Sequence, residues 1–227
     1  MDSSFELFGT GHLLAMIATI TLAAAAAGAG RQSPAIERGL RYVLAGTLAA
    51  IAAGALATLA ARDALRWVHL VPLQLSDFAV VLAVLALLTR WRPACEVLYF
   101  WGLTGVFFAK VMPAVREPFP DPVTATYFAL HGLVVVAAAL LTFGSRVQFA
   151  PGAHWRALAF TAGYAAFVGL VNAITGANFL FLRRPPPEPT LLDYFGPWPV
   201  YLVVVAAIAA VSFWLLARAA PTGTRRG

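Results

Sequence analysis

The apolar stretch Val71-Pro-Leu-Gln-Leu-Ser-Asp-Phe-Ala-Val-Val-Leu-Ala-Val-Leu-Ala-Leu-Leu88 decides the fold class of this chain. Its length is close to the ~20 residues that a helix needs to cross the hydrocarbon core of a bilayer. Gln74, Ser76 and Asp77 fall within one helical turn of it. A carboxylate in such a helix costs ~2.5–3.5 kcal/mol on insertion scales and normally faces a bundle interior or a wet cavity. This turn is therefore the leading functional candidate.

The composition of the whole chain indicates a membrane protein without a separate soluble domain. Of its 227 residues, 61% are hydrophobic and 11% are charged, against about 25% charged residues in soluble domains. Cys95 is the only cysteine, which excludes an intramolecular disulfide and a cysteine-cluster metal site. The basic residues are scattered between apolar runs, so the clustered basic face that binds nucleic acid is missing. We expect no metal and no cofactor.

Seven apolar runs are long enough to span a bilayer, and proline, glycine and charged residues separate them. The predicted fold is therefore all-α, a single seven-transmembrane-helix bundle over residues 1–227. The predicted spans are 10–29, 40–61, 69–89, 94–113, 124–143, 155–175 and 197–217. Ten basic residues fall on the side of the C-terminus and six on the other side. The positive-inside rule then places the N-terminus outside and the C-terminus in the cytoplasm. The composition suggests the cell membrane of a bacterium.

This topology brings polar residues from several spans to one depth near the outer surface. Spans 3 and 5 both run inward, so Asp77 and His131 each lie about two turns, or ~8–12 Å, below that surface. The residues that share this layer are His12, Gln74, Ser76, Asp77, Lys110, His131 and Asn172. Gln74 and Asp77 are three residues apart and are expected on one helix face. The layer predicts a polar site open toward the outer leaflet.

Several of these residues also have a purely structural interpretation. Gln74 and Asn172 are suited to hydrogen bonds between helices. Asp77 could form a buried ion pair with Lys110 or His131, which would hold the bundle in register without any chemistry. His131 is either a satisfied interior histidine or a general base near neutral pH. The sequence leaves these alternatives open.

Several segments, in order over nearly the whole chain, resemble the YwaF-type family of bacterial integral membrane proteins. They are Phe5-Glu-Leu-Phe-Gly-Thr-Gly-His-Leu13, Val71-Pro-Leu-Gln-Leu-Ser-Asp-Phe78, Tyr99-Phe-Trp-Gly102, Tyr127-Phe-Ala-Leu-His-Gly132, Asn172 through Arg183, and Gly196-Pro-Trp-Pro199. That family is similar to a eukaryotic transmembrane protein described as a phospholipid acyltransferase, thought to use a cysteine nucleophile with a histidine. The resemblance implies that His131 corresponds to this histidine. Gln74 stands where family members often have histidine, and Ser76 where they often have cysteine.

The resemblance and the polar layer together favour acyl-lipid chemistry, either hydrolysis or acyl transfer. In this hypothesis Ser76 attacks the carbonyl, His131 is the general base, and Asp77 orients or charge-stabilises the histidine. The predicted substrate-binding residues are Gln74, Lys110, Asn172 and His12. Among them, Gln74 or Asn172 would bind the oxyanion, and Lys110 would receive a phosphate.

Two other functions fit the same residues. A binding protein or carrier for a small solute, an ion or a lipid would use intramembrane Asp and His side chains along a substrate or proton path. A non-catalytic bundle would use the polar layer only to pack its helices. A retinal-type photoreceptor does not fit, because residues 197–217 contain no lysine for a Schiff base. Membrane lipids, with a lipid or small-molecule ligand, are the expected partners; nucleic acid is not expected, and the oligomeric state is open.

Overall fold

The computed structural model describes residues 5–187 and 190–221. Its helices are α1 (Thr10–Gly30), α2 (Pro34–Ala61), α3 (Trp67–Leu70), α4 (Leu75–Thr89), α5 (Arg92–Trp101), α6 (Phe107–Val111), α7 (Pro122–Ala139), α8 (Ala153–Thr175) and α9 (Val200–Ala219). A π-helical turn at Gly102–Val106 joins α5 to α6, and another at Leu140–Gly144 extends α7. Short 3-10 turns at Phe179–Phe181 and Leu191–Tyr194 lie between α8 and α9.

Seven helical segments are long and apolar enough to cross a bilayer, which confirms the predicted all-α, seven-span fold class. Each predicted span falls on one of them; α3 with α4, and α5 with α6, form one span each. The side of the membrane on which each terminus lies stays a prediction. Two of the ten basic residues on the side of the C-terminus, Arg225 and Arg226, lie outside the described residues.

Helix α2 begins six residues before its predicted start at residue 40. Ser33 has extended backbone angles, and its side chain accepts a hydrogen bond from Ile36 N, while Pro34 occupies the first turn. A serine cap followed by proline is a strong helix start, because both residues satisfy or avoid the unpaired N–H groups of the first turn. Local capping, rather than hydropathy, therefore sets this boundary.

The third span is broken rather than continuous. Helix α3 ends at Leu70, and α4 begins only at Leu75, with Gln74 as its N-cap residue. Pro72 lies in the gap; it has no N–H to donate, and it disfavours helical angles at the residue before it. The prediction that Gln74 and Asp77 share one helix face is therefore wrong, because Gln74 has extended angles and lies outside the helix.

Two spans form the centre of the bundle. In the α5–α6 span and the α7 span, 67% and 72% of the most apolar window is buried, against 11% in α1 and α9. The peripheral helices therefore face lipid over most of their surface, while α5 and α7 provide the interior against which polar groups can pack. At one end of the bundle α2 ends while α4 and α7 begin, and we call this the upper end. The opposite end is the lower end.

Charged side chains at the lower end are tied together across helices. Glu96 is 2% exposed, and its carboxylate accepts hydrogen bonds from Arg156 (2.7 Å) and from Ala150 N (2.9 Å). Glu37 and Arg41 form a second buried pair at 2.8 Å, and Ser145 donates to Glu37. Removing one partner of such a buried pair would leave an uncompensated buried charge, which is strongly destabilising. These clusters lie away from the upper end and from the site described next.

Candidate functional site

A cavity of about 170 Å³ lies where α2, α4 and α7 meet. Its polar lining comes from Ser76, Asp77, Thr126, Tyr127 and His131, and its apolar lining from Ala55, Val80, Val123 and Leu130. The structure thus brings together the three residues that the sequence predicted as catalytic. A larger apolar groove of about 410 Å³ lies between α4 and α8 and contains none of them.

Ser76 and Asp77 occupy the first turn of α4. Within residues 5–187 and 190–221, neither side chain has a hydrogen bond, and the N–H groups of Leu75, Ser76 and Asp77 have no acceptor. Asp77 is exposed and Ser76 is partly exposed. The alternative in which Asp77 forms an ion pair with Lys110 or His131 is not realised among these residues. A helix start with free N–H groups favours a negative charge placed beside it.

His131 lines the cavity with a defined orientation. The residue is 6% exposed, and its Nδ1 lies 2.8 Å from the carbonyl oxygen of Tyr127, one turn earlier on α7. A carbonyl oxygen can only accept, so Nδ1 carries the proton and Nε2 keeps its lone pair. The Tyr127 ring packs against the imidazole at a centroid distance of 4.0 Å. Because the tautomer is fixed this way, Nε2 is suited to accept a proton.

Two predicted substrate-binding residues instead hold a backbone segment. Asn172 is 1% exposed; its Oδ1 accepts from Phe179 N and its Nδ2 donates to Phe179 O, both at 2.9 Å. Gln74 Oε1 accepts from Leu180 N at 2.8 Å. These bonds tie the segment after α8 to α8 itself and to the start of α4. Neither residue lines the cavity, so the structure does not bring them together with Ser76 and His131.

The other two predicted ligand-binding residues are also fully engaged. Lys110 is 0% exposed; its Nζ donates to Phe128 O at 2.9 Å and lies 4.7 Å from the centroid of the Phe128 ring. His12 accepts from Phe8 N at its Nδ1 and donates from Nε2 to Lys110 O at 2.7 Å. Both side chains pack in the interior between α1, α6 and α7, and neither lines the cavity. Lys110 is therefore not placed to receive a phosphate in it.

Sequence reasoning missed the ion pair above the cavity. Arg62, directly after α2, donates from two nitrogens to the carboxylate of Asp121, directly before α7, at 3.4 and 3.0 Å. Asp121 also caps α7 by accepting from Val123 N at 2.7 Å. The hydrogen bonds from Arg62 and from Val123 N lower the pKa of Asp121 below its usual value. The Asp121-Pro122 pair, a typical helix start, was a signal for the cap, but no local pattern indicates Arg62 as the partner, since the two residues are 59 positions apart.

Among the described residues, the cavity offers the hydroxyl of Ser76, the carboxylate of Asp77 and the imidazole of His131, since the hydroxyls of Thr126 and Tyr127 already donate to backbone carbonyls. Across the described ranges, no group of three His, Cys, Asp or Glu side chains is placed to hold a metal ion. Cys95, the only thiol, is buried beside the lower-end clusters and does not reach the cavity. The arrangement suits nucleophilic or general-base chemistry, or the binding of a small polar group.

Comparison with protein families gives one match over almost the whole chain. A sequence model of the TMEM164 family matches residues 7–217, and the chain therefore belongs to this transmembrane family. Comparison with curated proteins and with solved structures gives no significant match. The YwaF-type assignment stays a prediction from the quoted motifs. The protein is thus an integral membrane protein of the TMEM164 family with seven apolar helices.

Proposed function

We propose that this TMEM164-family protein cleaves or transfers the acyl ester bonds of membrane lipids, with Ser76 as nucleophile and His131 as general base. One observation carries the proposal: the Ser76 hydroxyl and the imidazole of His131 line the same cavity, and neither the hydroxyl nor His131 Nε2 has a hydrogen-bond partner in the part of the chain that the structure describes. A serine hydroxyl is a weak nucleophile until a neighbouring base removes its proton. The pairing of these two groups in one cavity supports acyl chemistry.

The reaction would proceed in two steps. Ser76 Oγ attacks the ester carbonyl while its proton passes to His131 Nε2, and the tetrahedral intermediate then expels the alkoxide of the lipid, which takes the proton back. In the second step His131 Nε2 deprotonates water or the hydroxyl of a second lipid, which attacks the acyl carbonyl; the bond between Ser76 Oγ and the acyl carbon breaks, and Ser76 Oγ takes the proton from His131. The first acceptor gives a hydrolase and the second an acyltransferase.

The start of α4 supplies what the transition state would need. The N–H groups of Ser76 and Asp77 have no other acceptor among the described residues and point along the helix axis toward its N-terminus. Backbone N–H donors of this kind stabilise the oxyanion of acyl transfer. They replace Gln74 and Asn172 in the role first predicted for those side chains. Asp77 would stabilise the imidazolium electrostatically, because the carbonyl of Tyr127 already orients the ring.

The setting of the site agrees with a lipid substrate. Acyl carbonyls lie just below the headgroups, and the cavity lies one to two turns inside the upper end of a membrane-spanning bundle. The resemblance to the YwaF-type family and to a phospholipid acyltransferase supports the same reaction class, with serine in place of cysteine. We place the protein in a bacterial cell membrane with its upper end outside, and membrane lipids are its proposed partners.

The test is labelling and turnover by the full chain reconstituted in lipid nanodiscs. A fluorophosphonate probe should modify Ser76, and Ser76→Ala should abolish both this labelling and the turnover of a short-chain glycerophospholipid. His131→Gln should reduce both by about 10²-fold or more. Ser76→Cys should keep turnover and make it sensitive to iodoacetamide, since a thiol can serve as the same nucleophile.

Thr126→Val is the matched control. It removes a hydroxyl from the same cavity, but Thr126 Oγ1 already donates to Pro122 O within its own helix at 2.8 Å. Its turnover should stay at the wild-type level. Full turnover by Ser76→Ala would refute the nucleophile, and equal losses in Ser76→Ala and Thr126→Val would indicate damage to the cavity rather than loss of chemistry.

A second candidate function is binding or transport of a small cationic or polar solute. The observation that favours it is the break of the third span at Pro72, which leaves the exposed carboxylate of Asp77 beside unwound backbone. Broken membrane helices often carry substrate sites at their inner ends. Under this alternative, Asp77→Asn abolishes solute uptake in proteoliposomes, while Ser76 gives no fluorophosphonate adduct in the wild-type chain.

A further inference from the structure

We propose that Arg62 is a specificity-determining residue that binds the phosphate of a phospholipid headgroup above the cavity, exchanging its partner Asp121 for that phosphate. This inference rests on the proposed function, because it assigns a binding residue to the headgroup of the lipid substrate proposed there. It concerns binding alone, so it can be tested separately from turnover.

The position of the Arg62–Asp121 pair suits a headgroup contact. Ala55 lines the cavity on α2, and Arg62 follows it by seven residues on nearly continuous helix, a rise of ~10 Å toward the upper end. Asp121 precedes the cavity residue Val123 by two positions on the opposite wall. In a glycerophospholipid, the glycerol unit separates the phosphate from the acyl carbonyl. A phosphate site must therefore lie a short way above the nucleophile, where Arg62 stands.

Arg62 is available for a new partner. Its side chain is 42% exposed, and the pair with Asp121 has its shortest contact at 3.0 Å. An exposed ion pair contributes little net free energy, since both groups are well hydrated when apart. Asp121 keeps its hydrogen bond from Val123 N when Arg62 leaves, so the start of α7 stays capped during the exchange. The exchange thus leaves no buried group unpaired.

The guanidinium group of Arg62 is suited to bind a phosphate. Its N–H groups form a planar fork that binds two phosphate oxygens at once, with charge-assisted hydrogen bonds. Lys110, the other cation considered for this role, is fully buried and donates to Phe128 O. Because Asp121 is anionic, it competes with the phosphate for Arg62. Removing the two charges should therefore change phosphate binding in opposite directions.

The test is equilibrium binding by the full chain in detergent, in a Ser76→Ala background that prevents turnover. Calorimetric titrations use dihexanoyl phosphatidic acid, dihexanoylglycerol as the phosphate-free analogue, and inorganic phosphate. We expect Arg62→Gln to weaken binding of the phosphatidic acid about tenfold, the loss of one charge-assisted contact. Asp121→Asn should strengthen it several-fold, and Arg66→Gln, an exposed arginine at the same end, should not change it. Binding of dihexanoylglycerol should be the same in all variants.

Three results would overturn the inference. Shifts in the same direction for Arg62→Gln and Asp121→Asn would mean that the pair acts only through structure. If Arg62→Gln weakened binding of phosphatidic acid and of dihexanoylglycerol equally, Arg62 would not contact the phosphate. If inorganic phosphate bound as tightly as the lipid, the ligand of Arg62 would be free phosphate rather than a lipid headgroup. Because turnover is absent from these titrations, failure of the nucleophile Ser76 would leave the outcome unaffected.

Discussion

Replacing Asn172 with alanine is expected to destabilise the protein far more than replacing Asn178, although both asparagines hold backbone groups. Asn172 binds both the N–H and the C=O of Phe179 at 2.9 Å, and the two residues are 1% and 2% exposed. The alanine variant leaves both backbone groups buried without partners. A stranded buried polar group costs ~1–3 kcal/mol, so the expected loss is ~2–6 kcal/mol.

Asn178 is the matched control. Its Oδ1 accepts from Arg183 N at 3.0 Å and from Arg184 N at 3.3 Å, and its Nδ2 donates to Arg184 O at 2.9 Å. These bonds lie at the exposed surface, so water can replace the lost partner, and the expected loss for Asn178→Ala is ~1 kcal/mol. The two variants thus differ mainly in the burial of the groups that they leave behind.

The assay is the fraction of the full chain that stays monodisperse in detergent after heating. For a chain of this size, 1 kcal/mol shifts the apparent melting temperature by ~2–4 °C. Asn172→Ala should therefore melt at least ~4 °C below wild type and clearly below Asn178→Ala. Equal shifts for both variants would refute the reasoning from burial. Wild-type stability of Asn172→Ala with lost lipid turnover would instead restore the role in the site that the sequence first indicated.

Three shorter predictions concern other parts of the molecule. Ionised Asp121 gives the fold a small stabilisation at neutral pH, because its pKa is lowered mainly by the hydrogen bond from Arg62. This contribution is fully present above the unfolded pKa of about 4 and is lost as the pH falls further, through the lowered folded pKa. The small difference in melting temperature between wild type and Asp121→Asn should therefore stay constant above about pH 4 and narrow only below it, and a difference that narrows at higher pH would contradict this. Glu96→Ala should lower the melting temperature more than Glu96→Gln, because glutamine still accepts a hydrogen bond at this buried position, and equal effects would contradict this. Cys95 is 2% exposed and should therefore react with a maleimide only after denaturation. A membrane-impermeant maleimide should instead label the Ser76→Cys variant from outside intact cells. Labelling of this variant only after lysis would overturn the predicted orientation.

Hydropathy alone predicted the fold class, because burial of apolar side chains in a bilayer depends on composition and length rather than on detailed contacts. Local sequence features shifted the helix boundaries away from those that hydropathy predicted. Ser33 and Pro34 start α2 before its apolar run, and Pro72 divides the third span in two. The proline was visible in the sequence, but whether it kinks a helix or ends it depends on what satisfies the freed backbone groups. Here the Tyr164 hydroxyl of α8 donates to the freed carbonyl of Leu73 at 3.0 Å, a contact that only the tertiary structure supplies.

The sequence by itself determined that this chain is a seven-span membrane protein with an anomalous carboxylate at Asp77. It also placed that carboxylate at the depth of Ser76 and His131. Depth follows from the rise along each helix, which a sequence gives directly. The tertiary structure decided which polar residues face one another, because the rotation of each helix about its axis is set by packing. That rotation brings Ser76, Asp77 and His131 to one cavity and turns Lys110, His12 and Asn172 toward backbone partners instead.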